Sequence, residues 1–158
     1  GAAATAGSLY HCLQQYIRGD LITDWVCPHC RRRSHDCFKK LDIWRFPPVI
    51  VLHLKRLSFT AAGAVRKAHA HVAFPLRDLD LSQLVIGPAA PRATAVYDHC
   101  AVVEHHRSSQ SGHYTACCYN QQAARWYRMD DVRVKEVPEV KVREAQAYML
   151  CYAAKDIA

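Results

Sequence analysis

The residues of this chain best suited to chemistry are a histidine behind a glycine, Gly112-His113, and the adjacent pair Asp130-Asp131 some seventeen positions later. An imidazole that must take a proton from a nucleophile needs its bare nitrogen aimed at that nucleophile. A carboxylate bonded to the other nitrogen fixes the tautomer. Residues 112–120 and 125–131 are rich in aromatic and other strand-favouring types and flank a polar break at Asn120-Gln121-Gln122, the pattern of a β-hairpin. A hairpin symmetric about Gln121 and Gln122 sets Tyr114 opposite Met129 and His113 opposite Asp130, at about 4.5–5.5 Å and on one face. Asp131 is the second candidate orienter, since a one-residue change of register exchanges the two. An isolated His beside an Asp at a strand end is as a rule only a surface ion pair. Gly112 adds that another group can approach the histidine closely, because it has no Cβ.

Several elements must hold that hairpin. Ser8 is placed to cap a helix in which Leu9, Cys12, Leu13, Tyr16 and Ile17 recur at helical spacing and which Gly19 ends. From Phe38 the chain reads as sheet. The apolar run at 49–54, entered through Pro47-Pro48, predicts a central strand covered on both faces. Further strands are predicted at 69–72, 97–104 and 147–152, with 79–85 and 87–91 as loop. Residues 105–112 read as a polar loop just before His113. Residues 1–7 are low-complexity, a linker or the scar of a truncation, and 8–158 form one domain.

Composition narrows the class. The 158 residues are 51% hydrophobic, enough to bury a core. The net charge of +7 would suit an acidic partner, but apart from Arg31-Arg32-Arg33 and Lys39-Lys40 the basic residues are scattered. With no basic stripe interleaved with aromatics, nucleic-acid binding is poorly supported. No run reaches the roughly 18 apolar residues that span a bilayer, so no membrane role is expected. The eight cysteines are not spaced as a disulfide framework, and the expectation is a reduced, intracellular protein, cytoplasmic or nuclear. Cys27-Pro28-His29-Cys30 places two thiols on one tight turn, half of a tetrahedral zinc site. His35 and Cys37 could complete it locally, at a spacing not standard for zinc. His53, His69, His71 and His99 sit singly on strand patterns, as structural histidines do.

The segment Gly112-His113-Tyr114-Thr115-Ala116, followed by Trp126-Tyr127-Arg128-Met129-Asp130-Asp131, resembles the histidine box of the ubiquitin-specific proteases, papain-like deubiquitinating cysteine peptidases. Trp25-Val26-Cys27-Pro28-His29-Cys30, the stretches at 39–44, 46–57 and 74–80, and Ala147-Tyr148-Met149-Leu150-Cys151-Tyr152 are similar to the family in the same order. The resemblance covers the chain from about Ser8 to Tyr152. It implies an α+β papain-like fold, of which this chain is the antiparallel sheet, or palm, with part of the fingers. It implies thiol hydrolysis of the isopeptide bond after ubiquitin's last glycine, with His113 as base and Asp130 or Asp131 as orienter. His105, His106, Gly112 and Tyr114 would contact the ubiquitin tail, and a second Cys-x-x-Cys upstream would complete a structural zinc site with Cys27 and Cys30. The family's cysteine box has no counterpart here. The chain is therefore expected to be the C-terminal half of the catalytic domain, inactive alone, with the N-terminal half and ubiquitin as partners. A full-length protein lacking that box would instead be a ubiquitin-binding scaffold of the same fold.

Overall fold

In the computed structural model, residues 7–34, 36–63, 65–87, 95–107 and 112–155 are described. The chain opens with helix α1 (Leu9–Arg18), whose Ser8 side chain accepts a hydrogen bond from the His11 amide at 3.2 Å. That cap satisfies one of the donors a helix start leaves open. Gly19 follows at φ 81°, where a Cβ would meet the Phe38 ring at 2.6 Å, so both backbone and space require glycine. Leu9 and Leu13 are the buried residues of α1, as the spacing predicts.

Two small ladders come next. Strand β1 (Asp20–Ile22) pairs with β4 (Cys37–Lys39), and β2 (Trp25–Val26) pairs with β3 (Arg33–Ser34), all antiparallel. β5 (Val49–His53) precedes a hairpin of β6 (Leu57–Phe59) and β7 (Val65–Lys67). After β8 (Leu79–Asp80) and a 3-10 turn at Ser82–Leu84 come β9 (Val96–Arg107), β10 (Gly112–Asn120), β11 (Arg125–Asp130) and β12 (Arg133–Val137). Helix α2 (Glu139–Arg143) and β13 (Ala147–Ala154) end the described chain.

The main sheet has seven strands in the order β12-β11-β10-β9-β13-β5, with β8 added beside the start of β9. Every pairing is antiparallel. One face carries Ile50, Val102, Cys117, Trp126, Leu150 and Tyr152 into the core, where α1, the Phe74–Leu81 stretch and Val142 of α2 cover them. Two buried tyrosines tie this layer to loops: Tyr97 Oη donates to the Pro47 carbonyl and Tyr152 Oη to that of Pro75, each at 2.8 Å. Buried Arg56 plays a similar part, donating to the carbonyls of Ala147, Ala68 and Ala70.

Four sequence expectations are corrected. The run at 49–54 gives an edge strand instead of a central one, and its outer face is open, with Val49 52% and Val51 58% exposed. Residues 69–72 form no strand, since the pairing partner in that region is β7, four residues earlier. Residues 79–85 are not merely loop, because Leu79 and Leu81 are fully buried and β8 extends the sheet. β9 runs on to Arg107, so His105 and His106 lie in a strand. The expected loop at 87–91 falls mostly outside the described residues. Among the described residues no helix is long and apolar enough to cross a membrane.

Candidate active site

The β10–β11 hairpin carries His113 and Asp130, but its register differs by two residues from a turn centred on Gln121 and Gln122. The loop has four residues, 121–124, so that Asn120 pairs with Arg125 and Ala116, not Tyr114, with Met129. Asn120 folds its Oδ1 back to accept the Ala123 amide at 2.8 Å, and Ala124 takes the left-handed conformation at φ 52°. The sequence held a sign of this, since Gln-Gln lacks the glycine or asparagine that two-residue hairpin turns require.

Because side chains alternate with period two, a shift of two residues keeps every side chain on its face. Continued, the register sets Asp130 opposite Thr115, and His113 becomes Asp130's diagonal neighbour instead of its direct partner. The contact survives in that form: His113 Nε2 and Asp130 Oδ1 are 2.6 Å apart. A carboxylate only accepts, so Nε2 carries the hydrogen and donates it. Nδ1 is thereby left as the bare, basic nitrogen. The hydrogen bond from His113 holds the Asp130 carboxyl below its ordinary range, with a smaller contribution from the nearby charges of Arg128 and Arg133. Both side chains are a little under half exposed, so the couple stands at the rim of the sheet.

Asp131 lies just beyond, in the two-residue turn that leads into β12, at φ 51°. Single ligand atoms of His113, Asp130 and Asp131 lie within 4.8 Å of one another. The same three groups form a donor set for a cation, of which the short hydrogen bond already engages His113 Nε2 and Asp130 Oδ1.

The predicted substrate-contacting residues divide between the two faces. His106 pairs across β9 and β10 with His113, the two rings 6.4 Å apart, and its Nε2 contacts Thr115 Oγ1 at 3.0 Å. His105 and Tyr114 also pair, on the opposite face, with rings stacked at 4.6 Å and Tyr148 packed beside both. Gly112 makes room for this stack. A Cβ there would come within 2.9 Å of His105 Nε2. The close approach expected at Gly112 is therefore made by His105.

Thr115, Glu104, Arg128 and Tyr148 complete the surroundings and were not singled out from the sequence. Thr115 had a signal, standing two residues from His113 on a strand and so on the same face.

Among the described residues no thiol joins the His113–Asp130–Asp131 cluster. Cys117 shares the face of His113 but stands four residues along β10, about 13 Å away. Burial raises the thiols of Cys100, Cys117, Cys118 and Cys151 above their ordinary range, which keeps them protonated and unreactive at neutral pH. All eight cysteines are free.

Cys27 and Cys30 lie in the turn between β2 and β3. The Arg31 amide donates to the Cys27 carbonyl at 2.8 Å, and the Cys27 amide to that of Arg32 at 3.0 Å. Hydrogen bonding by the backbone of Cys30 and then His29 lowers the Cys27 thiol, which favours the thiolate a metal requires. Among the described residues no third His, Cys, Asp or Glu closes on the pair, Cys37 included, and His35 lies outside them. The pair fits half of a zinc site.

Comparison with known proteins bears on the family and the fold. The family described as ubiquitin carboxyl-terminal hydrolase matches residues 8–152. Ubiquitin carboxyl-terminal hydrolase 5 of Arabidopsis thaliana is 38% identical over 151 residues, 94% of this chain and 16% of the relative. Ubiquitin carboxyl-terminal hydrolase 15 of Homo sapiens is 38% identical over 132 residues, 84% of this chain and 13% of the relative. Among solved structures, the SAGA Ubp8/Sgf11/Sus1/Sgf73 DUB module bound to ubiquitin aldehyde superposes with a TM-score of 0.77 at 26% identity, over 97% of this chain and 34% of that one. The chain thus spans about a third of that solved chain and about a sixth of the Arabidopsis relative. With sequence match and α+β fold in accord, the chain belongs to the ubiquitin carboxyl-terminal hydrolase family.

Proposed function

We propose that this chain is the base-bearing portion of a deubiquitinating thiol hydrolase, which cleaves the isopeptide bond after the C-terminal glycine of ubiquitin. One observation carries the reading: the 2.6 Å bond from His113 Nε2 to Asp130, which leaves Nδ1 bare at the rim of a rigid sheet. The nucleophile is a cysteine from another part of the parent protein, since desolvation keeps the partly buried sheet thiols here protonated and none of them joins the imidazole.

In the cycle, His113 Nδ1 takes the proton of that cysteine, and the thiolate attacks the glycyl carbonyl. A C–S bond forms, the C–N bond to the lysine breaks, and the imidazolium returns its proton to the leaving amine. Water, deprotonated by the same imidazole, then hydrolyses the thioester and frees ubiquitin. Asp130 keeps the ring posed and balances its charge, with Asp131 as the alternative orienter. His105, His106, Gly112 and Tyr114 border the path of the ubiquitin tail. Cys27 and Cys30 supply half of a structural zinc site, whose remaining ligands lie elsewhere in the parent. Ubiquitin as partner is supported by the ubiquitin aldehyde bound in the related SAGA module.

A ubiquitin-based fluorogenic substrate tests the reading. The 158-residue chain alone should give no turnover, and the parent protein should cleave. Turnover by the chain alone that vanishes on mutating one of its own cysteines would contradict it. A parent that binds ubiquitin without cleaving would favour an inactive ubiquitin-binding scaffold.

A further inference from the structure

Arg128 and Asp130 stand two residues apart on one face of β11, about 7 Å between Cα atoms. A forked guanidinium on a carboxylate is among the strongest side-chain pairs and would outcompete a neutral imidazole for Asp130. The side chain goes elsewhere. Arg128 Nη2 donates to Thr115 Oγ1 at 3.3 Å and lies 3.9 Å from Glu104 Oε2. Glu104 and Thr115 are cross-strand partners on β9 and β10 and form one wall of acceptors. Thr115 is 4% exposed, and the Glu104 carboxylate is fixed by the Gln146 amide at 2.8 Å on its other oxygen. Thr115 Oγ1 also engages His106, the cross-strand partner of His113.

We propose that Thr115 and Glu104 are positioning residues that draw the Arg128 guanidinium away from Asp130, so that this carboxylate serves His113 alone. The proposal rests on the functional reading above and names what keeps its orienting pair from being broken by a neighbour. Its logic is competitive: Arg128 is attracted to two carboxylates, and a buried hydroxyl together with an anchored Glu104 decides between them. From that position Arg128 still contributes to the field around Asp130 without occupying its oxygens.

The test reads the His113 tautomer directly, by histidine-selective heteronuclear NMR of this chain at about pH 8, on the alkaline side of the unperturbed imidazole value. Wild type should hold the Nε2–H form. Thr115→Val and Glu104→Gln should each lower the ratio of Nε2–H to Nδ1–H tautomer at least about threefold as Arg128 moves onto Asp130. Thr115→Ser, which keeps the hydroxyl, should retain the wild-type ratio. Adding Arg128→Leu to either impaired variant should restore it, which no merely structural damage would allow. An unchanged ratio in both single variants overturns the proposal, as does failure of Arg128→Leu to restore it. Because the readout needs no turnover, a parent protein without activity would count against the functional reading and leave this result standing.

Discussion

At His113 one nitrogen is committed to Asp130 and the other is open, and the value of that arrangement depends on which carboxylate holds the ring. Asp130 lies on a strand, on the face of His113, whereas Asp131 sits in a turn at φ 51° and is exposed. Asp130→Asn in the parent enzyme should therefore lower kcat by about ten- to a hundredfold with little change in ubiquitin binding, and Asp131→Asn by less than about threefold. Steady-state kinetics would settle the order, and the reverse order would make Asp131 the orienter. That Asp130 shares the face of His113 was legible in the sequence, because residue type and strand alternation limit which groups can meet. The wall of Thr115, Glu104 and Arg128 was not. Its contacts run diagonally across three strands, and that depends on a register the sequence left two residues out.

The hairpin loop shows why register was the weak point at the scale of elements. Period-two patterning fixes the face but not the count of loop residues, and here the asparagine fold-back and a left-handed alanine use four. Ala124 carries a Cβ at φ 52°, so Ala124→Gly should raise stability by about 0.5–1 kcal/mol in chemical denaturation without disturbing His113. A loss of stability would mean that the loop does not hold this conformation.

His99 of β9 is a second element-scale case. It is 4% exposed, packs against Phe74, Trp126 and Tyr152, and among the described residues its ring nitrogens find no hydrogen-bond partner. Desolvation pushes it down from 6.5 to about 4. The unfolded chain therefore takes up a proton first as the pH falls. Stability from this site is complete above about pH 6.5 and is lost between there and about pH 4, by on the order of 3 kcal/mol. Denaturation midpoints of wild type and His99→Leu across that range should diverge towards acid, with the leucine variant the more stable. Parallel curves would mean that His99 is solvated. The strand was legible as apolar, but the neutral state of its histidine follows from packing alone.

For the whole molecule the decisive contrast is between the two sides of the sheet. One is sealed by α1, the Phe74–Leu81 stretch and α2, while the other leaves Val49, Val51, Tyr114, Met129 and Val134 each more than two-fifths exposed. The apolar run at 49–54 reads as a strand covered on both faces, and among the described residues one cover is present. Fold class and family were thus legible from motif order, and which face stays open was not, because apolar patterning records burial without naming the cover. The central claim is that His113 is the base of a thiol hydrolase. Its most direct test is turnover of a ubiquitin-based fluorogenic substrate by the parent enzyme carrying His113→Ala, with ubiquitin binding followed in parallel. A loss of at least about a thousandfold in kcat with binding retained is the predicted result. A rate within about tenfold of wild type, only roughly 1.4 kcal/mol, would contradict the claim.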